Sequence, residues 1–117
     1  MGGLRREIML EVLFDSHGAL CGHRVQAGSG AGAVSARYRG LFEHAFRMQA
    51  SGLVLVHNHP SGDPRPSSQD IAETRRLAAM AHVLDLDFHD HVVVGGPAAV
   101  SMRRAGLMGP AKQPLRT

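Results

Sequence analysis

Apolar and polar side chains alternate along EIMLEVLFD, residues 7–15. Ile8, Leu10, Val12 and Phe14 fall on one side, and this period of two predicts a β-strand. Ser16-His17-Gly18 reads as a turn, and ALCGHRVQ (19–26) as the returning strand of a hairpin. The period changes after the glycine-rich stretch Gly28 to Gly32. Over residues 36–50, Tyr38, Leu41, Phe42, Ala45, Phe46 and Gln49 recur at three- and four-residue steps, which predicts a helix weakened at Gly40. Ser51-Gly52 breaks it. The apolar run opening LVLVHNH (53–59) predicts a central strand buried on both faces. A second helix is expected from about Ser67, with Ile71, Thr74, Leu77, Ala78, Ala81 and Leu84 on its inner stripe and Asp85-Leu86-Asp87 at its end. FHDHVVVG (88–95) reads as a strand stopped by Gly95-Gly96-Pro97. The order β-β-α-β-α-β predicts one α/β domain with a mixed sheet and flanking helices.

Composition narrows the setting. A chain of 117 residues, 44% hydrophobic, can bury a single core, so disorder is not expected. Cys21 is the one cysteine, which excludes an intrachain disulfide and suits a reducing compartment. No apolar run approaches the ~20 residues of a membrane span, and MGGLRREIML lacks the features of a signal peptide. A cytoplasmic location is the expectation. The net charge of +3 gathers partly at the C-terminus, where Arg103, Arg104, Lys112 and Arg116 lie among Gly106, Gly109, Pro110 and Pro114. Residues 109–117 read as a flexible basic tail that could touch nucleic acid. With one Tyr, four Phe and no Trp, the chain has little aromatic material for stacking bases.

The candidate chemistry lies in HNHPSGDPRPSSQD, residues 57–70. His57 and His59 sit a strand repeat apart and share a face, whereas Asn58 points the other way. Pro60 ends the strand because it has no amide proton for the ladder. Asp70 lies one turn into the next helix, close to that strand end. Two imidazoles, a carboxylate and an open fourth position are the ligand set of a catalytic zinc ion. The same residues allow a plainer reading. Ser67-x-x-Asp70 is nearly a capping box, and the histidines could bond nearby carbonyls. The letters HNH do not make an HNH nuclease, whose residues are spread over a longer ββα-metal unit.

VHNHPSGDPRPSSQD followed by IAETRRL resembles the core of the RadC-like proteins in the JAB/MPN metallopeptidase superfamily. That signature is an upstream Glu, His-x-His, seven residues, and Ser-x-x-Asp. His57 and His59, Pro60 to Pro66, then Ser67 and Asp70 match its last three parts. Asp90-His91-Val92-Val93-Val94-Gly95 is similar to the closing element, and the likeness covers about residues 5–108. It implies a cytidine-deaminase-like α/β fold over residues 1–108. One Zn2+ per chain would be held by His57, His59 and Asp70, and a zinc-activated water would hydrolyse peptide or isopeptide bonds. Ser67 would stabilise the oxyanion, while Asp90 and His91 would play supporting or structural parts. The family name also carries an association with DNA repair.

The upstream Glu, the general base of the superfamily, is expected within GHRVQAGSG, where Arg24 stands instead. Glu11 and Glu43 are the flanking alternatives. An impaired hydrolase, a non-catalytic zinc-binding interaction module and a DNA-associated factor therefore stand beside the active hydrolase. His89 and His91 form a second His-x-His, but no carboxylate loop follows it.

Overall fold

The computed structural model describes residues 7–27 and 34–109. The chain runs β1 (Ile8–Phe14), β2 (Leu20–Ala27), α1 (Val34–Arg47), β3 (Gly52–Asn58), α2 (Ser68–Val83), β4 (Asp87–Gly95) and β5 (Ala98–Ser101). The strands form one mixed sheet in the order β2-β1-β3-β4-β5. β1 pairs antiparallel with both β2 and β3, β3 pairs parallel with β4, and β4 pairs antiparallel with β5. The α/β class and the predicted elements hold, within a few residues at their ends. β5 is the addition. Its four residues, AAVS, are too short and small to show a period, and its pairing with β4 defines it.

One apolar cluster joins the sheet to both helices: Leu13, Leu53, Leu55 and Val93 from strands, Leu41, Phe42 and Ala45 from α1, and Leu77 and Ala81 from α2. The sheet face toward the helices therefore carries Met9, Glu11 and Leu13 of β1. Ile8, Leu10, Val12 and Phe14 do share a face, as their alternation predicts, but it is the opposite one and only half-buried. β3 likewise buries Leu53 and Leu55 fully, but Val54 and Val56 only in part, contrary to the expectation of burial on both faces. Those two pair with Val12 and Leu10 across the ladder, and the aliphatic neighbours shield each other there.

Glu11 is a carboxylate in the core-facing position of a central strand, 1% exposed. Arg24 lies directly across the ladder and donates Nε–H to Glu11 Oε1 at 2.7 Å, and Gln26 donates to Oε2. Gly40 makes room for this pair. A Cβ there would lie 2.7 Å from the Arg24 guanidinium, so the residue that weakens α1 as a helix lets Arg24 pack against it.

β4 contains a bulge. Leu53 pairs with Phe88 but Val54 pairs with Asp90, leaving His89 as the extra residue. The bulge separates the second His-x-His: His91 is buried at 4% exposure, while His89 is exposed, edge-on to Phe14. No described helix is long and apolar enough to cross a membrane. The tail expected over 109–117 lies outside the described residues beyond Gly109, as do Gly28 to Gly32.

Candidate metal centre

His57 is the penultimate residue of β3 and His59 follows the strand, its amide still bonded to Val94 O at 2.7 Å. The strand repeat puts their rings side by side, with centroids 4.9 Å apart. The chain then turns through Pro60 to Pro66 and enters α2. Gly95 seats this loop: a Cβ there would meet Pro64 N at 2.5 Å and the Asp63 carbonyl carbon at 2.7 Å. Within the loop the Arg65 guanidinium grips exposed Asp63 and holds its carboxyl down to about 2.

Ser67 caps α2 in a complete capping box. Its Oγ accepts the Asp70 amide at 3.0 Å, and Asp70 Oδ2 accepts the Ser67 amide at 2.8 Å. The cap also aims the Asp70 carboxylate. Its Oδ2 lies 3.0 Å from His59 Nε2 and its Oδ1 lies 3.6 Å from His57 Nε2. The cap reading and the site reading of Ser-x-x-Asp are therefore compatible. Burial pushes the Asp70 carboxyl up, but the Ser67 amide and hydroxyl and the two imidazoles outweigh it, and the net is a lowering.

A carbonyl can only accept, so His59 Nδ1, 2.9 Å from Asp63 O, carries the ring proton of the neutral imidazole. Its Nε2 then turns a lone pair toward the Asp70 carboxylate at 3.0 Å. Two acceptors in that position call for a cation between them, a second ring proton or a metal. Tetrahedral ligands ~2.0–2.1 Å from one ion lie ~3.3–3.4 Å from each other. Two different Asp70 oxygens make these approaches, at 3.0 and 3.6 Å, and imidazole nitrogens with a carboxylate oxygen are the donor types that a zinc ion takes.

A fourth group enters from the residue just ahead of β1. Glu7 Oε2 stands 3.7 Å from His57 Nε2, and Glu7, His57 and His59 present ligand atoms all within 4.8 Å of one another. The ladder explains the approach. Met9 pairs with His57 in antiparallel register, and continuing by two residues sets Glu7 across from His59. Buried Asn58 fastens that end, its Oδ1 accepting the Ile8 amide at 2.6 Å. The acid near the histidines thus stands just before β1, ahead of the segment where the sequence suggested Arg24 had replaced it. Arg24 is occupied with Glu11. The signal for Glu7 was its place at the start of a strand that pairs antiparallel with β3.

Behind His57 lies His91, with His57 Nδ1 2.7 Å from His91 Nε2 and His91 Nδ1 2.6 Å from Thr74 Oγ1. Burial, with a smaller effect of His57, pushes His91 down to about 3, so it is neutral. Asp90 points away from this cluster. Its Oδ1 accepts the amides of His91 and Arg103 and its Oδ2 accepts the Ser101 hydroxyl, tying β4 to β5. Arg103 in turn donates to the Phe88 and His89 carbonyls, so this cation of the basic end is engaged within the fold. Lys112 and Arg116 lie outside the described residues.

Among the described residues, a mixed five-stranded sheet with two helices, carrying a histidine–carboxylate cluster at one end of its central strand, defines an α/β domain with a candidate metal centre. The chain belongs to the RadC-like JAB domain family, whose profile matches residues 1–107. Among curated relatives, a UPF0758 protein of Roseiflexus castenholzii is 46% identical over 67 residues, 57% of this chain and 29% of that protein. One from Rhodobacter capsulatus is 47% identical over 70 residues, 60% of this chain and 33% of that protein. One from Desulforamulus reducens is 43% identical over 70 residues, 60% of this chain and 31% of that protein. The matched segment is thus about a third of each relative's length.

Proposed function

We propose that this domain is a zinc-dependent hydrolase of peptide or isopeptide bonds. His57, His59 and Asp70 hold the ion, Glu7 is the general base and Ser67 assists at the oxyanion. The observation that carries the reading is Glu7 Oε2, 3.7 Å from His57 Nε2, beside two imidazoles and a capped aspartate. Asp70 is assigned as ligand because it approaches both rings and the Ser67 cap fixes it. Glu7 is assigned as base because it is 43% exposed, open to an incoming substrate.

When bound, zinc supplies Lewis acidity, polarising the scissile carbonyl and lowering the pKa of water toward ~7. Glu7 takes the proton from the attacking water and returns it to the leaving amine. Ser67 Oγ accepts from the Asp70 amide, and its hydroxyl proton, which otherwise helps to lower the Asp70 carboxyl, turns to the developing oxyanion. The reading as a non-catalytic zinc module drew on Arg24 in place of the glutamate, and with Glu7 at the histidines that support falls away.

The test is hydrolysis of a panel of fluorogenic peptides and ubiquitin-type isopeptides by zinc-loaded protein, chelated protein and Glu7→Gln. Turnover that chelation and Glu7→Gln both abolish is expected. Turnover indifferent to both, or zinc-loaded protein inert on every substrate, would overturn the reading.

A further inference from the structure

We propose that His91 and Thr74 are positioning residues of this centre. With Met102 they form a buried, one-way hydrogen-bond chain that holds His57 with its proton on Nδ1 and its Nε2 lone pair toward the metal. The inference rests on the metal-centre reading above and adds how the fold selects the ring state that reading needs.

The chain runs from His57 Nδ1 to His91 Nε2 at 2.7 Å, from His91 Nδ1 to Thr74 Oγ1 at 2.6 Å, and from Thr74 Oγ1 to Met102 Sδ at 3.7 Å. Every member is at least 96% buried, with exposures of 3% for His57, 4% for His91, 2% for Thr74 and 0% for Met102. A neutral imidazole has one donor and one acceptor, so protons along such a chain can all point one way or all point the other. Its far end sets the direction. A thioether has no proton to give, so the Thr74 hydroxyl donates to Met102. Oγ1 then accepts from His91 Nδ1–H, and His91 Nε2 accepts from His57 Nδ1–H. His57 Nε2 is left with its lone pair on the side of Asp70 and Glu7. The reverse direction would put an N–H where a metal ligand needs a lone pair. The Asp63 carbonyl sets the same tautomer in His59, so the fold arrives at it twice by different means.

Three features of the fold put these groups in line. Thr74 follows Asp70 by one helical turn, so one face of α2 delivers both a ligand and the end of the chain. His91 pairs with Leu55 in the parallel ladder, which sets it on the face of His57, two residues further along β3. The bulge at His89 brings His91, and not its neighbours, onto that face.

The experiment combines long-range proton–nitrogen NMR of the histidine rings in metal-free protein, at mildly alkaline pH, with competitive zinc titration. The chains compared are wild type, Thr74→Val and Thr74→Ser. Wild type should show His57 protonated at Nδ1. Thr74→Val should move that proton toward Nε2 and weaken zinc binding about 10–100-fold. Thr74→Ser should restore both. Met102→Leu, which keeps the core apolar, should also release the tautomer and serves if Thr74→Val does not fold. His57 protonated at Nε2 in wild type, or a tautomer unmoved by either substitution, would overturn the proposal. A wild-type chain that binds no zinc would overturn the metal-centre reading instead, and the ring spectra would still decide the direction of the chain.

Discussion

Glu7 Oε2 lies 3.7 Å from His57 Nε2, although one residue immediately precedes β1 and the other is next to last in β3. The antiparallel ladder makes them neighbours. If Glu7 is the base, Glu7→Gln keeps the shape and loses the proton acceptor. Hydrolysis should fall about 10²–10⁴-fold while zinc remains bound. Asn58→Leu should lower hydrolysis by a smaller factor, because it frees the Ile8 amide that holds Glu7 in place. It should also cost about 1 kcal/mol of stability, read from urea unfolding, because that half-buried donor loses its partner.

Arg24→Glu should not create or improve an active site. It sets a second carboxylate across the ladder from Glu11, which is 1% exposed and takes its charge partner from Arg24. Breaking a buried pair costs about 3–5 kcal/mol, and partial exposure of Arg24 places the loss near 3 kcal/mol. The urea midpoint should fall, with hydrolysis per folded molecule unimproved. Gly40→Ala checks the same packing. Such a helix substitution ordinarily gains about 0.5–1 kcal/mol, but here the Cβ would lie 2.7 Å from the Arg24 guanidinium. The gain should be absent or reversed.

Much of the site was legible before the fold. Period two placed His57 and His59 on one face, and Ser67-x-x-Asp70 marked both a cap and a carboxylate close to them. What stayed hidden depended on register. Glu7 becomes part of the site only through pairing between β1 and β3, and alternation along β1 gives no sign of its partner. The same gap hid the true inner face of β1, because a buried glutamate looks polar until Arg24 and Gln26 meet it across β2. The bulge at His89 reverses which residues of β4 face inward. Counting by twos therefore joined His89 to His91, where the fold joins His57 to His91.

Gly95→Ala should damage the centre without touching a ligand. The new Cβ would meet loop backbone at 2.5–2.9 Å, and backbone cannot swing aside like a side-chain end. The loop must lift, taking with it the Asp63 carbonyl that orients His59. Zinc affinity should drop, and thermal unfolding of the metal-free chain should show a loss of about 1–3 kcal/mol.

Zinc should also stabilise the native chain. At a free concentration 100 times Kd, a ligand that binds only the folded state contributes about 2.7 kcal/mol, which for a domain of this size raises Tm on the order of 10 °C. A chelator should reverse the shift. His59→Ala should show little of it.

The most direct measurement is a competitive zinc titration of the metal-free chain beside Asp70→Ala and Glu7→Gln. One zinc per chain should bind to wild type, weaken sharply in Asp70→Ala and remain close to wild type in Glu7→Gln. No zinc bound by wild type, or binding lost with Glu7→Gln and kept in Asp70→Ala, would contradict the assignment of ligand and base.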